Sequence, residues 1–244
     1  MAIRSEVAPG IHRLGSSWVN WFLVEEGGRF TVVDSGLPGY FDQLLDLIRS
    51  LGGTPDQVDA LVLTHNHTDH TGTAERIRAE LGATVYIHSK DEPILTGKAK
   101  PHQPAGLVSN LWRPHLLKFL GHAIRNGGSK TDKVKEATTF DAEGILNVPG
   151  KPLVVPTHGH SPGHCALVFQ DRDAVIVGDA MATLDVTTGK RGPRVHPFNE
   201  DVDGAVRALT QLERLTVSNL LPGHGEPWHG DMATAVRLAR ELRA

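Results

Sequence analysis

A short run of potential metal ligands constrains this chain more than any other feature of its sequence. Residues 64–70 read Thr-His-Asn-His-Thr-Asp-His and directly follow an apolar, strand-like stretch. Side chains alternate between the two faces of a strand, so we expect His65 and His67 to point the same way where the strand ends. If the chain then turns into a helix, Asp69 and His70 can face a second point. Three imidazoles and a carboxylate so close together are costly unless a cation organises them, and the run therefore predicts a metal site.

Three further potential ligands follow predicted strands. Asp179 comes directly after the β-branched run 174–178, and His224 lies between glycines that allow close approach of the backbone. The third is in a histidine-rich turn that contains His158, His160 and His164. The even spacing of these histidines leaves open which one is the ligand.

These segments together resemble the metallo-β-lactamase superfamily. The matching segments, in the family's order, are Asp34-Ser35-Gly36, His65 to His70, Gly159-His160, Gly178-Asp179 and Gly223-His224. The resemblance implies an α/β fold in which two sheets pack face to face between helices, a four-layer αββα sandwich. It also implies that the ligand in the turn is His160, which precedes Ser161-Pro162-Gly163. His158 stands where the family often has proline, and this departure leaves it a role near the ligands or the substrate.

The resemblance assigns the ligands to a binuclear site. One metal would be bound by His65, His67 and His160, the other by Asp69, His70 and His224, with Asp179 bridging them. Imidazoles and carboxylates without thiolates suit two zinc ions, with iron or manganese as alternatives. Such a pair can hold a bridging hydroxide as the nucleophile.

Other residues receive supporting roles. Asp69 or a metal-bound water would protonate the leaving group. Asp34 is expected to hold a ligand loop by hydrogen bonds rather than to bind metal. Cys165 is expected to be a small buried hydrophobe.

Within the family that the chain resembles, individual sequence features argue against particular subfamilies. Asp179 and the absence of a signal peptide argue against a true β-lactamase, and the short stretch after His224 argues against a glyoxalase II. Ala182 stands where acyl-homoserine lactonases have tyrosine. What remains is a small hydrolase of an ester, thioester, lactone or amide; the alternatives are a mononuclear iron persulfide dioxygenase and a non-enzymatic scaffold.

Composition indicates which classes of binding partner to expect. The net charge is −3 with 25 basic residues, which provides no excess charge for a phosphate backbone. No stretch approaches the length of a transmembrane span. We therefore expect a single cytoplasmic domain over residues 1–244 with a small-molecule substrate, no nucleic acid and no membrane partner; the oligomeric state is left open.

Periodicity and turn residues predict the regular elements. The predicted strands span residues 11–14, 19–24, 30–33, 60–63, 84–87, 153–155, 165–170 and 174–178, and another ends at Leu221. The predicted helices span residues 41–51, 73–81, about 202–215 and about 231–243, the last with Asp231 as its N-cap. Gly27-Gly28 indicates a hairpin.

Residues 93–147 are expected to form a partly helical lid over the metals, the alternatives being a flexible insertion or a cap on the core. The apolar residues Leu107, Leu111, Trp112, Leu116 and Phe119 have the spacing of one helical face. We expect that face to line the substrate pocket, favouring a substrate with a hydrophobic portion, with Trp112 as a contact. His102, His115, His122 and His196 are expected in surface loops, and His196 is the best candidate among them for a substrate contact.

Overall fold

Two large sheets contain most of the strands. The structure, a computed structural model, describes residues 5–101 and 107–242, and only the backbone of Leu107. The first sheet has the order β1 to β7, with strands Ser5–Ala8, Ile11–Gly15, Asn20–Glu26, Arg29–Val33, Val58–Val62, Thr84–His88 and Thr138–Phe140. Its strands are antiparallel from β1 to β4 and parallel from β4 to β7.

The second sheet has the order β15-β14-β11-β10-β9-β8. Its strands in chain order are β8 (Gly144–Ile145), β9 (Leu153–Pro156), β10 (Cys165–Phe169), β11 (Ala174–Gly178), β14 (Asn219–Pro222) and β15 (Trp228–His229). A separate two-stranded sheet pairs β12 (Ala182–Leu184) with β13 (Arg191–Arg194). Strands β11 and β14 are parallel, so their carboxyl ends meet at one edge.

The helices cover the outer faces of the sheets. They are α1 (Phe41–Ser50), α2 (Thr68–Thr71), α3 (Ala74–Leu81), α4 (Glu92–Leu95), α5 (Leu107–Asn110), α6 (Pro114–Arg125), α7 (Val202–Glu213) and α8 (Met232–Glu241). Helices α1 and α3 pack on the first sheet, and α7 and α8 on the second. This arrangement confirms the four-layer αββα fold.

Alternation along the strands separates the layers. In β11, Ile176 faces the core between the sheets, while Val175 and Val177 face α7 and α8. Cys165 is fully buried in the core between the sheets, as expected for a small hydrophobe.

Local signals placed several elements correctly. The hairpin at Gly27-Gly28 joins β3 to β4, with both glycines at positive φ. Gly82 ends α3 in the left-handed conformation, with φ 76°. Asp231 caps α8 by accepting a hydrogen bond from the Thr234 backbone N–H. The short strands β1, β7, β8, β12, β13 and β15 were not predicted, because two to four residues are too few to show a period.

The expected single helical face in the lid segment is wrong. Helix α5 ends at Asn110 and α6 begins at Pro114, because the residue before a proline disfavours the helical conformation. The side chain of Leu107 lies outside the described residues, and Trp112 lies between the two helices. Within residues 5–101 and 107–242, no helix is long and apolar enough to cross a membrane.

Candidate metal centre

The histidine-rich run lies beyond the end of β5 rather than within the strand. Because β5 ends at Val62, the strand alternation expected for His65 and His67 is wrong; both are in the loop, and His67 precedes the first residue of α2. Their rings nevertheless lie 4.7 Å apart. His70 is on the short helix α2, and the centre of its ring lies 4.3 Å from that of His65.

The other three predicted ligands come from loops at the carboxyl ends of strands in the second sheet. His160 follows β9, Asp179 follows β11 and His224 follows β14. The backbone N–H of Gly223 donates to the carbonyl of Gly178 over 2.8 Å, which places the last two loops side by side.

The structure brings all seven predicted ligands together, in two groups. In each group the potential ligand atoms all lie within 4.8 Å of one another; the groups are His65, His67, His160 and Asp179, and then Asp69, His70 and His224. Asp179 lies between the groups. Its Oδ2 is 3.3 Å from Nε2 of both His160 and His224, and its Oδ1 is 3.4 Å from Nε2 of His70.

Hydrogen bonds determine which nitrogen of His70 and His224 faces inward. Nδ1 of His70 donates to Asp34 Oδ2 over 2.8 Å, and Nδ1 of His224 donates to the Trp18 carbonyl over 2.6 Å. A neutral imidazole that donates through Nδ1 carries its lone pair on Nε2. In both rings Nε2, the nitrogen that carries the lone pair once the ring is neutral, therefore faces Asp179.

Hydrogen bonds at Nδ1 likewise turn Nε2 of His65 and His160 inward. Thr64 Oγ1 donates to Asp34, so it accepts from Nδ1 of His65 over 3.0 Å. The Asn199 amide donates to the His196 carbonyl, which turns its oxygen toward Nδ1 of His160, 3.2 Å away. Thr64 and Asn199 were missed as supporting residues, because the role of each depends on a partner distant in sequence.

Several inward-facing atoms have no hydrogen-bond partner among the described residues. They are buried and comprise Nε2 of His65, His70 and His196 and Oδ1 of Asp179. Leaving such atoms unpaired is costly, and a bound cation would satisfy lone pairs from imidazole and carboxylate together. The donor set therefore fits a metal site.

The protonation pattern also suits cation binding. Burial lowers the pKa of His65 and His160 well below the ordinary value, and neighbouring imidazoles add to the effect. Burial opposes charge at His70 as well, but the Asp179 and Asp34 carboxylates outweigh it and raise the pKa of His70 well above its ordinary value. Burial likewise favours neutral Asp179, yet the imidazoles, with His224 foremost, hold its pKa well below the usual range. The centre thus keeps a buried carboxylate charged.

His196 lies at the centre and not in a surface loop, which corrects that expectation. It is 5% exposed, and its Nε2 is 3.5 Å from Asp179 Oδ2. Nδ1 of His196 lies 3.2 Å from the Phe198 backbone nitrogen and 3.3 Å from the Phe198 carbonyl oxygen, so it accepts from the N–H in one tautomer and donates to the carbonyl in the other. Its Nε2 faces the centre without a hydrogen-bond partner among the described residues, and with Asp179 and His224 it forms a third group of potential ligand atoms.

The remaining histidines have other places. His164 is buried and its Nε2 accepts from the Asp179 backbone N–H over 3.0 Å, so it holds the backbone of Asp179 in place. His158 is half-buried beside the His88 ring. His115 and His122 were expected in loops, but both are on α6, and His122 Nε2 is 2.5 Å from the Tyr40 hydroxyl. His102 lies outside the described residues.

A cavity of about 310 Å³ opens onto the centre. One side is formed by His67, Asp69, Asp179, His196 and His224, and the apolar side includes Leu116, Phe119, Leu120, Ala123, Val186 and Phe198. The Phe119 ring is 5.7 Å from the His224 ring, so α6 covers the centre as a lid would. Trp112, the expected contact, does not line the cavity and is 74% exposed; Phe119 takes that place.

Comparisons with known proteins agree with this geometry. The sequence profile of the metallo-beta-lactamase superfamily matches residues 18–224. The probable metallo-hydrolase YflN of Bacillus subtilis is 30% identical, over 92% of this chain and 87% of its own length.

Solved structures share the fold. Rm3 metallo-beta-lactamase superposes with a TM-score of 0.71 at 18% identity, covering 98% of this chain and 91% of its own. TTHA1623, solved in a di-iron-bound form, gives a TM-score of 0.62 at 25% identity, covering 94% of this chain and 98% of its own.

Proposed function

The chain belongs to the metallo-beta-lactamase superfamily, and from that membership and the geometry of its centre we propose that it is a two-metal hydrolase of ester, thioester, lactone or amide bonds. The main support is the cluster of imidazoles and carboxylates around Asp179, in which the potential ligand atoms of each group lie within 4.8 Å of one another. Zinc suits these ligands, and iron is the second candidate because TTHA1623 has been solved with two irons.

We assign the ligands to two ions according to the two groups. His65, His67 and His160 would hold one ion, Asp69, His70 and His224 the other, and Asp179 would contact both. Bound metal ions would supply Lewis acidity and activate water as a nucleophile near neutral pH. The protein itself positions the ligands, since Nδ1 of His65, His70, His160 and His224 is in each case hydrogen-bonded to a neighbouring residue.

Two residues of the centre are placed to handle the substrate's oxygen and leaving group. We assign to His196 the tautomer with its proton on Nε2, the nitrogen that faces Asp179, and this N–H would stabilise negative charge on the substrate oxygen. Asp69 would carry a proton to the leaving group, because its side chain is 19% exposed on the cavity while that of Asp179 is 2% exposed. Both residues line the cavity.

The cavity wall supports a substrate with a hydrophobic portion. Phe119 and Leu120 of α6 face Val186 and Phe198 across it. Apolar surface of this kind stabilises apolar groups by roughly 25 cal/mol per Å² buried.

Metal analysis combined with a substrate panel tests the proposal. We expect two zinc or iron ions per chain and hydrolysis of one or more members of a panel of thioesters, lactones, esters and β-lactams. His65→Ala and Asp179→Ala should abolish hydrolysis and weaken metal retention, whereas His229→Ala, at an exposed histidine, should change neither. Full activity with unchanged metal content in the first two variants would refute the assignment. One iron per chain with persulfide oxidation would support the rival dioxygenase.

The proposed donor role of His196 has its own test. His196→Ala should lower kcat by roughly 10²–10³-fold, the effect of losing one oxyanion donor, with metal content unchanged. His224→Ala should instead lose metal. Loss of metal from His196→Ala would show that His196 is a ligand.

A further inference from the structure

The lid segment carries a charge opposite to that of the chain as a whole. Residues 93–131, here called the basic segment, contain six lysine or arginine residues and no aspartate or glutamate, whereas the chain has a net charge of −3. This segment includes α5 and α6. Its charge is not needed by the cavity, whose α6 wall is apolar.

The outer face of α6 presents apolar and basic side chains in two rows. Leu117 and Ile124 are 52% and 64% exposed, and Lys118 and Arg125 are exposed beside them. Members of each pair are seven positions apart, which is about two helical turns, so each pair lies along one line of the helix. An apolar row next to a basic row is the pattern of a helix that lies in a membrane interface.

Helix α5 and the loop before α6 extend this surface. Val108 is 76%, Leu111 41% and Trp112 74% exposed. The Arg113 guanidinium lies 5.3 Å from the Trp112 ring centre, so an aromatic and a basic group are paired at the tip. Tryptophan is enriched at membrane–water interfaces because its ring is amphipathic.

We propose that this face of the basic segment docks on an anionic lipid surface. Exposed apolar side chains would enter the interface while the adjacent basic side chains meet lipid head groups. A second copy of the chain fits less well, since a twofold contact through this face would bring two basic segments of like charge together. The expectation of no membrane partner considered only spanning segments, and peripheral docking needs none.

Docking would also place the cavity beside the lipid. Ile124 belongs to the exposed apolar row and also lines the cavity, so the two surfaces are continuous. An amphiphilic substrate with an acyl chain could pass from the lipid surface into the cavity. This link rests on the proposed hydrolase function, whereas docking itself does not.

Vesicle binding by the full chain tests the docking. The probes are vesicles of phosphatidylcholine alone and of phosphatidylcholine mixed equally with phosphatidylglycerol, and the readout is co-sedimentation at low and high salt. We expect binding to the anionic vesicles only, weakened by salt. Lys118→Glu with Arg125→Glu should reduce partitioning by about 30-fold or more, since each basic residue near an anionic surface contributes roughly fivefold.

Matched variants separate docking from general charge and from misfolding. Lys90→Glu with Arg214→Glu makes the same charge change at exposed positions outside the basic segment and should bind as the parent does. Trp112→Ser with Leu117→Ser should weaken binding at high salt, where the apolar contribution dominates. Circular dichroism and thermal unfolding check that each variant is folded.

Three results would overturn the proposal. The first is no binding of the parent to anionic vesicles, and the second is an equal loss of binding in both charge-reversal pairs. The third is a parent protein that does not bind vesicles but forms a dimer, if Trp112→Ser with Leu117→Ser dissociates that dimer. Vesicle binding without hydrolysis of any acyl substrate would leave docking supported and count against the proposed function alone.

Discussion

At the residue scale, His70 depends on Asp34 for its orientation and tautomer. Asp34 Oδ2 accepts from Nδ1 of His70, and Oδ1 accepts from the Thr64 backbone N–H over 2.8 Å. Asp34→Asn tolerates the positive φ of 57° but removes the charge. We expect metal affinity to fall roughly 10–100-fold in a chelator competition assay. Asp42→Asn, at an exposed position on α1, should retain the parent's affinity; equal affinities in both variants would contradict the role of Asp34.

Gly223 is a glycine because the centre leaves no space for a side chain. A Cβ there would lie 2.4 Å from Asp179 Oδ1 and 2.5 Å from His70 Cε1. Gly223→Ala must therefore displace two proposed ligands, and we expect the purified variant to lose metal. Gly144→Ala is the control, since a Cβ at Gly144 meets nothing within 4 Å. Normal metal content in Gly223→Ala would show that the ligand loops can shift without cost.

The raised pKa of His70 and His224 predicts how metal affinity depends on pH. Burial opposes their charge, but nearby carboxylates raise the pKa of each above 6.5, so these rings retain a proton that the metal must displace. Affinity should therefore rise as pH rises above about 6.5. Calorimetry in buffers of different ionisation enthalpy should show proton release on metal binding. Binding without proton release would contradict this protonation pattern.

At the element scale, α6 is joined to the centre through aromatic side chains. The Phe119 ring lies 5.9 Å from the Trp18 ring, and the Trp18 carbonyl accepts from His224. The His122 ring contacts Tyr40, whose pKa burial raises to about 12, so that hydroxyl stays protonated near neutral pH. Helix α6 thus contacts both Tyr40, which precedes α1, and the loop that contains His224.

Truncating Phe119 should weaken substrate binding more than truncating Trp112 does. Phe119→Ala removes apolar wall from the cavity, and we expect KM for substrates with an apolar portion to rise roughly tenfold with metal content unchanged. Trp112→Ala should leave KM for soluble substrates near that of the parent, since Trp112 is 74% exposed and outside the cavity. A larger effect from Trp112 would restore it as the contact.

At the scale of the whole molecule, the centre joins the two sheets. Four of its residues, 65, 67, 69 and 70, follow β5 of the first sheet, and the other three follow strands of the second. A cation bound to both sets stabilises the folded state only. At a free metal concentration of about 1,000 times Kd the gain is about 4 kcal/mol, or roughly 10 °C in Tm. Thermal unfolding with metal and with chelator measures it; His65→Ala should show a smaller shift, and equal shifts would place the bound metal elsewhere.

The sequence by itself determined the mixed α/β class, and the resemblance of its motifs to a known family indicated the four-layer fold and the seven proposed ligands. It did so because strand alternation, the glycine stop at Gly82 and the cap at Asp231 are local patterns, and because the ligands cluster in short motifs. It also indicated the supporting position of Asp34, whose carboxylate the structure places on His70.

Only the tertiary structure decided the direction of each imidazole and the shape of the lid. The tautomer of His160 depends on Asn199, and the orientation of His196 depends on the Phe198 backbone, so neither can be derived from the spacing of ligand residues. The reason that Phe119, and not Trp112, lines the cavity is similar. Pro114 restarts the helix at a new angle, and the side of α6 that is buried depends on what packs against it. Contacts between residues distant in the chain determine the imidazole directions and the packing of α6. Local periodicity does not contain this information, because it depends only on neighbouring residues.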